Sequence, residues 1–127
     1  MCSMSQVVRK NRVFDLEDRT LEFAKRVVRL CKELPINTVN DKLVDQVIRS
    51  AGSVGANYRE ASDSLGRKDE LMRLKISRKE AKETIFWLEL IAEANESFAK
   101  RMQELIQESR ELKNILSAII TKREKKI

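Results

Sequence analysis

The chain has 127 residues and a net charge of +6, which fits one domain, leaves no room for two and favours an anionic partner. Hydrophobic residues make up 42% of it and charged residues 36%, but it has only 3 glycines and 1 proline, a composition typical of long helices with solvated outer faces. No apolar run is long enough for a membrane span or a signal peptide, so we expect a cytoplasmic protein that does not bind membranes.

The basic excess is concentrated near the two ends of the sequence. Residues 1–14 contain three basic residues and no acidic one, and we interpret them as a basic tail that precedes a four-helix bundle domain over residues 15–127. Residues 98–127 contain eight basic and four acidic residues. Seven side chains in these two segments are candidates for contacting nucleic-acid phosphates: Arg9, Lys10, Arg12, Lys122, Arg123, Lys125 and Lys126.

Apolar and small residues recur at alternating spacings of three and four in four segments, which indicates four amphipathic helices. These stripes cover residues 16–34, 47–65, 74–91 and 102–119. Because the connections between them are short, neighbouring helices should run antiparallel, in an up-down-up-down order. The 3.5-residue period predicts a left-handed supercoil, so the expected fold is an all-α, left-handed, antiparallel four-helix bundle.

The helix ends carry recognisable signals. Pro35 should end the first helix, because the residue before a proline avoids the α region. Thr38 or Asn40 can cap the start of the second helix, and Ser97 can cap the fourth. These signals predict helix boundaries that leave only short connections between the helices.

Three small residues lie close together in the second helix: Gly52, Gly55 and Ala56. A glycine inside a helix costs roughly 1 kcal/mol relative to alanine, so another interaction must offset it. We interpret the three residues as a site of close packing against a neighbouring helix. A local kink is the alternative interpretation.

Five charged residues should meet between the second and third helices. Antiparallel pairing across the turn that joins them brings Arg49 near Glu83 and Glu60 near Arg73. Glu80 and Glu83 have basic neighbours in the sequence, which favours ion pairing over metal binding. Such pairs either stay solvated, at under about 1 kcal/mol each, or are partly buried and fix the helix register or a subunit contact.

The residues that most enzymes use are missing. Histidine is absent, which removes the commonest general base and the commonest metal ligand. The 3 glycines do not form a phosphate-binding loop, and the 2 cysteines make neither a disulfide framework nor, without histidine, a zinc site. We therefore expect no enzymatic activity, no metal and no cofactor.

Two segments carry a resemblance to a known family. Residues 46–61 (QVIRSAGSVGANYREA) and 78–88 (RKEAKETIFWL) strongly resemble the four-helix-bundle family encoded in intervening sequences of bacterial 23S ribosomal RNA genes. The resemblance implies a homopentamer, a ring of bundles around a central channel, and family members are often described as RNA-binding. The chain is also similar to the accessory protein of diversity-generating retroelements, a basic pentamer that associates with a reverse transcriptase and nucleic acid. It lacks the histidines expected of that branch.

Surplus apolar residues also favour an oligomer, since the stripes alone suffice for one bundle and exposed apolar patches usually mark interfaces. The residues beside the stripes are Val28, Ile48, Ile85, Phe86, Trp87, Leu90, Ile115 and Ile120.

Two functions remain open. The first is an oligomer that binds RNA or DNA electrostatically through its basic ends. Five copies of a chain with charge +6 would together carry +30. The second is a structural adaptor or scaffold that binds another protein, with the charge serving solubility. Convergence of the basic side chains on one surface would favour the first function, and scatter would favour the second.

Overall fold

The computed structural model of the protein describes residues 15–125, which contain four α-helices and no strand. The helices are α1 (Asp15–Glu33), α2 (Thr38–Ser62), α3 (Arg67–Ala94) and α4 (Ala99–Lys125). A short 3₁₀ helix, Glu96–Phe98, precedes α4. The prediction of an all-α four-helix bundle is confirmed. Over residues 15–125, no helix is both long and apolar enough to cross a membrane.

The predicted stripes form the core of the bundle. All six residues of the first stripe, from Leu16 to Leu34, are buried. The ends of two other stripes were predicted wrongly. Leu65 is fully exposed in the loop after α2, and Ile119 is half-buried while Ile120 is in the core. An α-helix has 3.6 residues per turn, so a strict 3.5-residue pattern drifts away from the buried face along a helix.

The connection from α1 to α2 is short and firmly capped. Helix α1 ends at Glu33, two residues before Pro35, as expected. The cap of α2 is Asn37, whose side-chain oxygen accepts a hydrogen bond from the Asn40 N–H at 2.8 Å. Thr38 is instead the first residue of the helix. The predicted cap Thr38 is one residue away from the actual cap, because several residues in this segment are good caps.

A pair of buried asparagines joins the start of α2 to the end of α3. Asn40 Nδ2 donates to Asn95 Oδ1 at 3.0 Å, and Asn95 Nδ2 donates back to Asn40 Oδ1 at 2.9 Å. Asn40 also donates to the carbonyl of Pro35, and Asn95 to that of Ile91. Each amide therefore has acceptors for both of its hydrogens, which removes the cost of burying it unpaired.

Contacting helices run in opposite directions. Residue numbers rise along α2 as they fall along α3 in the pairs Asn40 with Asn95, Ser50 with Thr84, and Asn57 with Arg73. The same order relates α3 to α4 in the pairs Arg67 with Arg123, Arg78 with Ser117, and Ala81 with Ser109. The left-handed sense of the supercoil stays a prediction.

Buried hydroxyls connect the helices at the centre of the bundle. Ser77 Oγ of α3 donates to the carbonyl of Val54 in α2 at 2.7 Å, and Ser109 Oγ of α4 donates to the carbonyl of Ala81 in α3 at 2.8 Å. Both serines are fully buried. Their small side chains let the backbones approach, and a satisfied hydroxyl fixes which residues face each other.

Gly55 lies at a close contact between α2 and α1. A Cβ added at Gly55 would be 3.0 Å from Thr20 Oγ1 and 3.3 Å from Thr20 Cβ. The other two small residues were placed wrongly: Gly52 and Ala56 are exposed, and within residues 15–125 no heavy atom other than those of the local backbone lies within 4 Å of a Cβ added at Gly52. Because each residue rotates about 100° around a helix axis, positions near Gly55 in sequence need not share its face.

Candidate nucleic-acid interface

The last turn of α4 carries part of the predicted basic cluster. Lys122, Arg123 and Lys125 are exposed there. The remaining four predicted residues lie outside the described part of the chain: Arg9, Lys10, Arg12 and Lys126. The structure therefore neither joins nor separates the two predicted clusters.

Ion pairs between α3 and α4 engage charges of both signs at this end of the bundle. Arg123 Nε lies 3.4 Å from Glu70 Oε2 at the start of α3, and Lys75 Nζ lies 2.9 Å from Glu124 Oε2. Arg123 is therefore less available to a phosphate than a count along the sequence suggests.

A second basic surface runs along the outer side of α3. One shallow groove is lined by six residues at helical spacing: Lys75, Arg78, Lys79, Lys82, Glu83 and Phe86. We call this surface the basic groove. Residues spaced by three, four and seven along a helix lie on one face, so four cationic groups share a strip about 10 Å long.

Helix α4 extends the positive surface. Arg78 Nη1 donates to Ser117 Oγ at 3.4 Å, which places Ser117 beside the basic groove. Lys113 and Arg110 lie one and two turns before Ser117 on the same side of α4. Among residues 15–125, the ion pairs of the groove lysines are Lys75 with Glu124 and Lys79 with Glu83.

No ion pair within the described residues neutralises Arg78, Lys82, Arg110 or Lys113. A surface with more cationic than anionic groups attracts polyanions. Counts of charge along segments do not reveal this surface, because its cationic residues converge only on one helical face of α3.

An exposed aromatic ring adjoins the positive charges. Phe86 is 55% exposed and lies one turn beyond Lys82 in the basic groove. Its ring meets that of Trp87 edge to face, with the centroids 5.1 Å apart. This contact supports the Phe86 ring while leaving much of it accessible to solvent.

The predicted polar contacts between α2 and α3 are formed in part. Arg49 Nη1 lies 3.4 Å from Glu80 Oε1, and Arg49 Nη2 lies 3.2 Å from Glu83 Oε1. The side chain of Glu80 is only 11% exposed. This ion pair therefore joins a nearly buried carboxylate to a half-exposed guanidinium.

The predicted contact between Glu60 and Arg73 is not among the ion pairs of residues 15–125. Arg73 Nη1 instead donates to Asn57 Oδ1 at 3.3 Å, while Glu60 is exposed one turn further along α2. Glu60 lies three residues after Asn57, which turns it only about 60° from Asn57 around the axis of α2.

Within residues 15–125 no group of three or more His, Cys, Asp or Glu side chains is placed to hold a metal ion. Glu80 and Glu83 instead share the guanidinium of Arg49. Cys31 is half-buried, and burial raises the pKa of its thiol to about 11. At neutral pH this thiol stays protonated and is a poor nucleophile.

Comparison with known proteins agrees with this architecture. Residues 13–118 match the family model described as 23S rRNA-intervening sequence protein. The crystal structure of a protein of unknown function from the S23 ribosomal protein family of Bacteroides thetaiotaomicron is 36% identical, with a TM-score of 0.74, and the match covers 84% of this chain and 95% of that one. No curated protein is significantly similar. The chain belongs to the 23S rRNA-intervening sequence protein family.

Proposed function

We propose that this protein is a non-enzymatic oligomer that binds RNA or DNA electrostatically, and that the basic groove of α3 is the main contact surface. One observation carries the proposal: Arg78 and Lys82, with Lys113 of α4 beside them, have no anionic partner among the described residues. The ribosomal family of the solved relative is consistent with a nucleic-acid partner.

Phosphate contacts of this kind have a measurable signature. Each lysine or arginine that neutralises a phosphate releases condensed counterions, so the affinity falls steeply as salt rises. With about six contacts, the affinity should drop by about three orders of magnitude between roughly 50 and 200 mM salt. The basic groove and its extension on α4 supply that number of cationic groups.

The test compares three variants, each lacking four basic residues, by fluorescence anisotropy with a labelled RNA of mixed sequence. The groove variant replaces with glutamine Arg78, Lys79, Lys82 and Lys113. The end variant replaces the residues predicted from sequence, Lys122, Arg123, Lys125 and Lys126. The control variant replaces exposed lysines on other surfaces, Lys25, Lys32, Lys42 and Lys100.

The groove variant should bind at least tenfold more weakly than the control variant and show a shallower salt dependence. The end variant should lie between the two, because Arg123 already has an acidic partner. Equal losses in the groove and control variants would overturn the assignment to the groove. If the parent protein bound no nucleic acid at low salt, the adaptor function would replace this one.

Exposed apolar residues support the oligomeric part of the proposal. Val28 is 40% exposed on α1 and Ile48 is 38% exposed on α2. Val28 lies eight residues after Thr20 and Ile48 seven residues before Gly55, so the contact of Thr20 with Gly55 puts both at one level of the bundle. Two exposed apolar residues at one level of the bundle suit contact with a second copy of the chain.

The ring size is taken from the family resemblance, which implies five copies. Five chains of 14.8 kDa give a particle of about 74 kDa in light scattering. Ile48→Lys should lower this mass, whereas the control Leu65→Lys, at a fully exposed loop residue, should leave it unchanged. A monomer mass for the parent protein at micromolar concentration would overturn self-association.

A further inference from the structure

Phe86 combines two properties that are rarely found together on a helix surface. The residue is 55% exposed, although a large aromatic side chain is usually buried. It also lines the same groove as Lys79 and Lys82. Its only aromatic contact in the described residues, with Trp87, is edge to face. The groove therefore offers an aromatic surface directly beside a strip of phosphate-binding groups.

The charges alone do not distinguish one polyanion from another, but an accessible ring does. Unpaired bases stack on aromatic side chains, and every base has a face that can do so. In a duplex the bases are already stacked on one another, and a side chain beside the backbone does not reach their faces. An aromatic ring at the end of a cationic strip suits a strand with unpaired bases.

We propose that the basic groove recognises single-stranded nucleic acid, with an unpaired base stacked on Phe86 and the adjoining phosphates bound by Arg78, Lys79 and Lys82. This inference rests on the proposed function and adds the class of nucleic acid. The strip from Lys75 to Phe86 is about 16 Å long, so the contact involves a few nucleotides. Sequence preference at this site is weak, because stacking tolerates any base.

The chain carries its own reporter for this contact. Trp87 is the single tryptophan of the sequence, and its ring centroid is 5.1 Å from that of Phe86. A base that stacks on Phe86 changes the surroundings of the indole. Binding of a single-stranded oligonucleotide should therefore change the intrinsic tryptophan fluorescence, whereas inorganic polyphosphate, which has charge but no bases, should leave it nearly unchanged.

The decisive experiment compares Phe86→Leu with the parent protein on three probes. The probes are a labelled single-stranded DNA, a strand of the same length whose interior positions are abasic, and a duplex. Phe86→Leu should bind the normal strand about tenfold more weakly and the abasic strand as well as the parent does. Phe86→Tyr, which keeps an aromatic face, should retain the affinity of the parent.

The outcomes separate this inference from the proposed function. Tight duplex binding by the parent, or equal losses by Phe86→Leu on normal and abasic strands, would overturn single-strand recognition while leaving electrostatic binding intact. Failure of the glutamine variant of the groove to weaken binding would overturn both. A lower particle mass of Phe86→Leu in light scattering would place Phe86 in a contact between copies and overturn the stacking role.

Discussion

Two glycines three residues apart on α2 have different surroundings. Gly55 faces Thr20 of α1, whose hydroxyl donates within its own helix to the carbonyl of Glu17 at 3.0 Å. Gly52 faces open space among the described residues. The same residue type therefore has a packing role at one position and only a conformational cost at the other.

Alanine should separate these two roles. Gly52→Ala should stabilise the protein by about 0.5–1 kcal/mol, because it raises helix propensity without meeting a neighbour. Gly55→Ala should give no such gain, since its Cβ would lie 3.0 Å from Thr20 Oγ1, and Gly55→Leu should destabilise by about 1–3 kcal/mol. Urea denaturation followed by circular dichroism measures all three. A Gly55→Leu protein that melted above the parent would show that the contact is not tight.

The Cys31 thiol should react more slowly than a cysteine thiol of ordinary pKa. Burial raises its pKa from 9.0 to about 11, so near pH 8 the reactive thiolate fraction falls about a hundredfold. In a Cys2→Ser protein, iodoacetamide should label Cys31 at least about a hundredfold more slowly in the native state than in the urea-unfolded state. Mass spectrometry measures the two labelling rates. Because the folded-state pKa is raised, the associated stability is present below pH 9 and is lost as pH rises toward 11. Equal labelling rates in the two states would contradict the burial.

At the scale of the elements, the pair of Asn40 and Asn95 joins α2 to α3 through two reciprocal hydrogen bonds. Asn40 is 3% exposed and Asn95 is 7% exposed, and the two amides satisfy each other. The motif was not predicted, because Asn40 was interpreted only as a candidate helix cap. Only the fold brings residues 55 positions apart into one contact.

Removing one asparagine of this pair should lower the stability by more than half of what removing both would cost. Asn40→Ala and Asn95→Ala should each destabilise by about 1–3 kcal/mol, because each leaves a buried amide without its partner. The double variant should be more stable than the sum of the two losses predicts, since it leaves no orphaned amide of the pair. A double-mutant cycle by chemical denaturation measures the coupling, and strict additivity would contradict it.

Ion pairs join α1 to α4. Arg19 contacts Glu108 at 2.7 Å and Glu111 at 2.8 Å, while Arg101 contacts Glu33 at 2.6 Å. The hydrogen bond from Arg101 lowers the pKa of Glu33. Hydrogen bonds from Gln107 and then Arg19 lower that of Glu111. Glu33 of α1 and Glu111 of α4 therefore hold the two helices together best when they are ionised.

Acid should loosen this side of the bundle first. The folded-state pKa values of Glu33 and Glu111 lie below the ordinary value of 4.5, so their contribution is present above it and is lost as pH falls through the lowered values. The urea midpoint should decline below about pH 4.5. Arg19→Gln with Arg101→Gln should flatten this decline, whereas Arg29→Gln, whose partner Glu22 is on the same helix, should not. An unchanged decline in the double variant would exclude these pairs as its cause.

At the scale of the whole molecule, the sequence predicted the bundle because burial follows helical period. Phe23, Leu88 and Leu112 are buried where their stripes place them. The prediction failed where a helix ended, at Leu65, and where the period drifted, at Ile119. Local patterns determine which side of a helix is apolar, and that information suffices for four helices with short connections.

The candidate site could be predicted from the sequence less well than the fold. Counting charge along segments identified Arg123 but not its neutralisation by Glu70, which lies on a different helix. The basic groove was missed although the positions of Arg78 and Lys82 are one turn apart in the sequence. The exposure of Phe86 depends on which side of α3 its neighbours cover, and that is a tertiary property.

The buried hydroxyls also set the order in which parts of the molecule should open. Ser77 and Ser109 fasten α2, α3 and α4 to one another through backbone carbonyls, whereas the buried hydroxyl of Thr20 donates only within α1. Amide hydrogen exchange reports such differences, because weakly attached segments open without global unfolding. The amides of α1 should exchange with solvent first, and those around Val54 and Ala81 last. The three-helix body would then persist as a partly unfolded state whose exposed apolar surface is the one that α1 covers in the native protein.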